Sequence, residues 1–169
     1  MHPYESSLAA HPFFQGLDPA YLRLICDCAK EACFAAGEVI FHQGDEADRF
    51  YLLEAGKVAL EVFTPERGTV TIQTVGAGEV LGASWLLPPY IWTYEAVAAE
   101  GARTIAFNAI CLRGACEEDH DLGYELMKRF ARVLVQRLTA ARLQLLDVYA
   151  NPEADQRMSA SPQGAISPL

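Results

Sequence analysis

The sequence predicts a mainly β fold, a sandwich or barrel of short strands with a helix at each end. Between residues 33 and 107, short apolar runs alternate with turns that contain glycine, which is typical of many short strands. Inside one run, Val58, Leu60 and Val62 alternate with other residues, and a period of two indicates a strand. The segments before and after this region carry apolar residues at helical spacing, so we expect helices to flank the strands.

An N-terminal helix is predicted over residues 12–32. Asp18 suits its N-cap, because a short side-chain oxygen can accept from a free backbone N–H, and Pro19 suits the first helical position. One apolar face of this predicted helix then carries Leu22, Ile25, Cys26 and Ala29.

Residues 112–149 are predicted to be helical, and the part from 121 to 149 contains no proline. Its apolar residues recur at alternating intervals of four and three residues, at Leu134, Leu138, Ala141, Leu145 and Val148. This heptad spacing is typical of a helix that packs against a partner helix, so we expect a homodimer through this helix. An ordinary amphipathic helix that covers the strands is the alternative interpretation.

The composition indicates a globular chain with 51% hydrophobic and 21% charged residues among 169. Its formal net charge of -9 argues against nucleic acid and anionic membranes as main partners. No apolar run approaches the ~20 residues of a membrane span, and no secretory signal is visible. The sequence therefore predicts a cytoplasmic protein with one domain over residues 11–149 and a disordered tail over residues 150–169.

The cysteines and histidines indicate no metal or redox centre. Five cysteines without a secretory signal predict reduced thiols, at Cys26, Cys28, Cys33, Cys111 and Cys116. The four histidines lack the spacing of metal ligands, and nucleophile motifs such as GxSxG are absent. We therefore expect no metal, no cofactor and no enzymatic activity.

Several separated motifs resemble the cyclic nucleotide-binding domain of the catabolite activator and fumarate-nitrate regulator superfamily. The matching positions are residues 13–17, 37–41, 43–45 and 76–82, together with Asp48, Tyr51, Leu53, Gly56 and Val58. The resemblance covers about residues 12–149. It implies a double-stranded β-helix, or jelly-roll, barrel over residues 33–107 and a role in ligand sensing and regulation.

In this family, a phosphate-binding cassette uses an arginine to pair with the cyclic phosphate and a glutamate to accept from the ribose hydroxyl. Residues 78–94, GEVLGASWLLPPYIWTY, match this cassette and are called the cassette segment below. The family's glycine matches Gly82, but the glutamate position matches Ala83 and the arginine position falls on Trp92. Losing two charged hydrogen bonds costs roughly 3–6 kcal/mol, or about two to four decades of affinity. Specificity for cAMP or cGMP is therefore expected to be altered or lost.

Aromatic and small polar side chains replace the missing charges. The candidate pocket residues are Gly82, Ala83, Ser84, Trp85, Trp92, Thr93 and Tyr94. Aromatic walls with a few hydroxyls suit a flat, largely uncharged ligand, such as a nucleotide-like or aromatic metabolite. Two alternatives stay open. Trp92 fills the site and the chain acts as a protein–protein interaction module with a closed pocket, or both tryptophans are core or interface residues.

Transcription factors of this superfamily carry a helix-turn-helix domain after the long helix. Residues 150–169 are few and are rich in proline, serine and glycine, a composition that does not favour such a domain. The expectation is a regulatory module without a DNA-binding domain, which senses a ligand or signals through a protein partner.

Overall fold

The computed structural model describes residues 2–150. The helices are α1 (Glu5–Ala10), α2 (Pro19–Asp27), α3 (Ala109–Glu118) and α4 (His120–Ala150). The strands are β1 (Ala29–Phe34), β2 (Val39–Phe41), β3 (Arg49–Ala55), β4 (Lys57–Thr64), β5 (Gly68–Gly76), β6 (Val80–Leu81), β7 (Glu95–Ala98) and β8 (Ala102–Asn108). Two compact units divide at residues 131 and 132, within α4. Among the described residues, no helix is long and apolar enough to cross a membrane.

The strands form two four-stranded antiparallel sheets, with strand orders β1-β8-β3-β6 and β2-β7-β4-β5. The mainly β class with flanking helices is confirmed. The closed barrel that the resemblance implies is not what the backbone pairing shows, because each sheet ends in its own edge strands. Side chains alternate between the two faces of β4, since Val58 and Leu60 are buried while Phe63 is exposed.

The helix predicted over residues 12–32 is wrong at both ends. Its predicted caps are correct, because Asp18 accepts a hydrogen bond from the Ala20 N–H at 2.7 Å and Pro19 opens α2. Helix α2 ends at residue 27, however, and residues 29–34 form β1, which pairs in register with residues 102–107 of β8. A partner strand distant in sequence thus overrides the local helical pattern.

The compact unit also begins before residue 11, where the sequence places the domain boundary. The sequence does not predict α1, yet its Leu8 is fully buried. The predicted tail, residues 150–169, lies outside the described residues apart from residue 150.

An aromatic cluster forms the centre of the first unit. Phe50 of β3 stacks on Phe107 of β8, with ring centroids 4.5 Å apart. Phe130 of α4 meets Phe50 edge-on at 5.1 Å, and Trp85 joins both rings. Offset and edge-on aromatic pairs of this kind contribute about 0.5–1.5 kcal/mol each beyond their buried area. The start of α4 is thereby fixed, and Asp119 caps it by accepting from the N–H groups of residues 121 and 122.

The second described unit is the remainder of α4, residues 132–150. All the heptad positions are exposed, with Leu138 at 51% and Leu145 at 57% relative accessibility. Leu134, Ala141 and Val148 are exposed as well. The long helix is as predicted, and its apolar seam is solvent-accessible in a single chain.

The prediction of five reduced cysteines is contradicted, because Cys28 and Cys111 form a disulfide. The two lie 83 residues apart in sequence, with Cα atoms 6.5 Å apart. An odd total excludes full pairing but not one pair, and the fold brings the end of α2 to the start of α3. The remaining thiols are free: Cys26 is buried, Cys33 exposed and Cys116 half-buried.

Candidate ligand site in the cassette segment

The cassette segment leaves the first sheet through β6, which pairs with β3 at Tyr51 and Leu52. The chain then turns at Gly82, whose φ is +95°, a conformation that glycine adopts at little cost. A short 3-10 turn follows over Ser84–Leu86. The segment thus turns sharply at Gly82 and continues into a short helical turn.

The returning part of the cassette segment is held by the loop between β2 and β3. The Ala47 N–H donates to the Tyr90 carbonyl at 2.7 Å. The Trp92 N–H donates to the Asp45 carbonyl at 2.9 Å, and the Gly44 N–H donates to the Trp92 carbonyl at 2.9 Å. These three bonds fix the backbone on both sides of the Trp92 side chain, and so fix the direction of its indole.

Trp92 fills the space beside Gly82. Its indole is 2% exposed and stacks on Phe41, with ring centroids 3.7 Å apart and planes 9° from parallel. A Cβ atom at Gly82 would lie 2.5 Å from Cη2 of Trp92, closer than carbon atoms approach without repulsion. Gly82 is therefore needed for two reasons, its positive φ and the closeness of this ring.

Trp85 occupies a different place, in the aromatic core. It is fully buried, lies 5.1 Å from Phe50 in a stacked arrangement and 5.5 Å from Phe130 edge-on. Its Nε1 has no hydrogen-bond partner among the described residues, a state that costs about 1–3 kcal/mol. Trp85 is thus a core residue, one of the alternatives that the sequence left open.

The other candidate pocket residues lie near Phe41, at the 3-10 turn or on the surface. Tyr94 is half-buried, with its ring 5.8 Å from that of Phe41. Ala83 and Ser84 are half-buried at the 3-10 turn, and Thr93 is exposed. The structure therefore places Trp92 and Tyr94 beside Phe41 and Gly82 beside Trp92, whereas Trp85 packs on Phe50 and Phe130 and Thr93 is exposed.

Sequence reasoning missed two residues, Phe41 and Arg113. Arg113 of α3 donates from Nη1 to the Trp85 carbonyl at 2.9 Å and to the Ala47 carbonyl at 3.3 Å. Its guanidinium carbon lies 4.2 Å from the centre of the Tyr90 ring, within reach of a cation–π interaction. No local sequence pattern predicts the contact between Arg113 and Tyr90, because β7 and β8 lie between them in the chain.

Tyr51 packs beside Phe41. Its ring centroid lies 6.4 Å from that of Phe41, and the residue is 4% exposed. Burial raises the pKa of Tyr51 to about 12, against a smaller opposing effect of the nearby Arg49 charge. Burial of this phenol thus opposes its ionisation. Among residues 2–150, no group of three or more His, Cys, Asp or Glu side chains could hold a metal ion.

Comparison with known proteins places this geometry in a family. Residues 31–119 match the family model described as the cyclic nucleotide-binding domain. The Cyclic AMP receptor protein of Thermus thermophilus is 30% identical over 157 residues, which is 88% of this chain and 66% of that protein. The CRP-like cAMP-activated global transcriptional regulator of Mycobacterium tuberculosis is 23% identical over 141 residues, 83% of this chain and 61% of that protein.

A solved structure agrees. The crystal structure of a putative cyclic nucleotide-binding protein from Geobacter metallireducens GS-15 is 32% identical, with a TM-score of 0.73, and covers 79% of this chain and 97% of that chain. This chain spans only about two thirds of the length of the two curated relatives. The match over residues 31–119 runs from within β1 to the end of α3 and includes the whole cassette segment. The resemblance stated from the sequence is confirmed, and the chain belongs to the cyclic nucleotide-binding domain family.

Proposed function

We propose that this chain is a regulatory module of the cyclic nucleotide-binding domain family whose cassette segment does not bind cAMP or cGMP through the family's charged contacts. The observation that carries the proposal is the Trp92 indole, stacked on Phe41 at 3.7 Å and in contact with Gly82. The resemblance assigns the phosphate-binding arginine to this position. The same proposal gives this chain a regulatory role, because the related proteins are regulators.

Two free-energy costs oppose a cyclic nucleotide here. The missing charged contacts at Ala83 and Trp92 remove roughly 3–6 kcal/mol. Moving a buried indole of roughly 150–250 Å² into water costs roughly 4–6 kcal/mol at ~25 cal/mol per Å². Their sum, roughly 7–12 kcal/mol, is comparable to or larger than the ~8 kcal/mol of a micromolar complex. A ligand that does bind must therefore stack on the aromatic rings and carry little charge.

A second candidate function is a protein–protein interaction module with a permanently closed pocket. The low exposure of Trp92 favours it, because a filled site needs no ligand for stability. In this case the regulated partner would be a protein, and the cassette segment would contribute shape rather than ligand affinity. Leu87 and Ile91, exposed at 55% and 41%, would be available for such contacts.

Thermal unfolding with added compounds tests the first proposal and separates it from the second. We expect cAMP and cGMP to leave the Tm of the unmodified chain unchanged. A ligand that binds the folded state raises the Tm, so a clear rise with cAMP would contradict the proposal. A flat uncharged probe such as adenine separates the two functions. If adenine stabilises the unmodified chain, ligand sensing is supported; if it stabilises only a Trp92→Ala variant, the closed module is supported.

We also propose that residues 132–150 form a homodimer through the exposed heptad seam. Five apolar residues at heptad spacing favour a second copy of the same helix as the partner. Leu138→Asp and Leu145→Asp should each yield monomers by light scattering, because a charge at a seam position is desolvated in the dimer. Gln136→Asp, exposed and off the seam, is the matched control and should stay dimeric. A monomeric unmodified chain would end this proposal.

A further inference from the structure

Cys28 and Cys111 join two elements that are distant in sequence. Cys28 is the C-cap of α2, and Cys111 lies in the first turn of α3. Their sulfur atoms are bonded in the structure. The bond therefore fixes the end of one helix to the beginning of another.

Backbone contacts hold the two cysteines together independently of the disulfide. The Asn108 N–H donates to the Cys28 carbonyl at 2.9 Å. The Asn108 side chain accepts from the Cys111 N–H at 3.0 Å, and Ala29 pairs with Phe107 at the same end of β1 and β8. These contacts bring the two sulfur atoms close together, which favours re-formation of the bond after reduction.

The disulfide is open to small molecules. It lines a surface cavity of about 690 Å³ that extends along β1 and the start of α3. Cys111 is exposed and Cys28 is half-buried, so Cys111 is the sulfur that an incoming reagent meets first. Cys111 also lies at the positive end of the α3 dipole, which favours a thiolate, whereas Cys28 lies at the negative end of α2.

Helix α3 connects this bond to the cassette segment. Arg113 follows Cys111 by two residues and binds the carbonyls of Trp85 and Ala47 and the ring of Tyr90. The first turn of α3 is thus linked through Arg113 to the backbone and to one ring of the cassette segment. These contacts involve no ligand.

We propose that Cys28 and Cys111 form a reversible thiol–disulfide site that controls how firmly α3 holds the cassette segment. In oxidation, the Cys111 thiolate attacks a sulfur of a low-molecular-weight disulfide such as oxidised glutathione and releases one glutathione thiol. The Cys28 thiolate then attacks Cys111 Sγ in the mixed disulfide and releases the second. Two electrons pass from the cysteine pair to the oxidant, and the two protons end on the released thiols. Excess reduced glutathione reverses both steps.

Alkylation of the full chain after equilibration in glutathione buffers tests the chemistry. Mass spectrometry should find five labels on the unfolded reduced chain. After oxidation, Cys28 and Cys111 should carry neither label nor glutathione, because they are bonded to each other. In Cys111→Ser, every remaining cysteine should carry either a label or glutathione in both buffers. The control Cys33→Ser, at an exposed cysteine outside the pair, should still show the Cys28–Cys111 bond on oxidation. A label or glutathione on both Cys28 and Cys111 in excess oxidised glutathione would overturn the site.

Amide hydrogen exchange of residues 83–92 tests the control of the cassette segment. We expect exchange there to be faster in the reduced chain by roughly tenfold or more. Cys111→Ser should match the reduced chain in both buffers, and Cys33→Ser should respond like the unmodified chain. Equal exchange in both redox states, with the bond confirmed by labelling, would contradict the proposed coupling.

Discussion

The two tryptophans of the chain lie in one loop and are both buried, yet they belong to different parts of the molecule. Trp85 packs against Phe50 of β3 and Phe130 of α4, in the aromatic core of the first unit. Trp92 packs against Phe41 and over Gly82, at the position to which the sequence resemblance assigns the family's arginine. Burial alone therefore does not distinguish a core residue from one proposed to fill a ligand site. The neighbours of each ring make that distinction.

Truncation of each tryptophan should separate the two roles most strongly. Trp→Ala changes in cores cost about 3–5 kcal/mol. We expect Trp85→Ala to lie near the top of this range, since it removes a ring from between two others, and Trp92→Ala near the bottom, since one ring stacks on it. Urea unfolding of both variants provides the measurement. A larger loss for Trp92→Ala would show that Trp92 is the main structural anchor.

A pH titration should reveal the burial of the Tyr51 phenol, which is 4% exposed. Burial raises the pKa of Tyr51 from its ordinary 10.0 to about 12, so the folded state holds this proton more tightly than the unfolded state. Its stabilising contribution is complete below pH 10 and is lost as the pH rises towards 12, in total about 2–3 kcal/mol at ~1.4 kcal/mol per pH unit.

Tyr51→Phe should flatten this part of the stability curve, because the substituted ring has no proton to lose. Urea unfolding between pH 9 and 12 gives the curve. Tyr124→Phe is the control, since Tyr124 is 63% exposed, and it should leave the slope in place. A slope that persists in Tyr51→Phe would mean that the phenol is not the titrating group.

Substitution of two glycines gives the smallest effect and the cleanest control. Gly82→Ala and Gly78→Ala both place a side chain at positive φ, +95° and +85°. Only the Cβ at residue 82 meets Trp92; nothing lies within 4 Å of the Cβ at residue 78. We expect Gly82→Ala to cost about 1–2 kcal/mol more than Gly78→Ala, and to shift the tryptophan fluorescence. Equal losses of stability in the two variants would mean that the Trp92 ring does not restrict the side chain at residue 82.

Features that depend on residues adjacent in sequence could be predicted. The Asp18 cap and the Pro19 start are local, and so is the turn at Gly82, whose φ is positive. β1 was mistaken for helix because its strand character comes from pairing with β8. The Cys28–Cys111 bond and the Trp92–Phe41 stack were missed for the same reason, since each joins residues that only the folded chain brings together.

The proposed aromatic replacement could be inferred from the sequence, whereas the packing of its rings could not. Ala83 and Trp92 indicate the replacement, but an open aromatic pocket and a filled one are compatible with the same sequence. Phe41 decides between them, because its ring lies parallel to the Trp92 indole at stacking distance. Packing of this kind depends on the β2 backbone, which no pattern in the cassette segment specifies.

We propose that Trp92 and Ala83 together exclude cyclic nucleotides. Calorimetric titration of cAMP into the unmodified chain and into an Ala83→Glu/Trp92→Arg variant tests it most directly. We predict no saturable binding to the unmodified chain below about 1 mM, and binding at least two decades tighter by the variant. Micromolar binding of cAMP to the unmodified chain would contradict the claim.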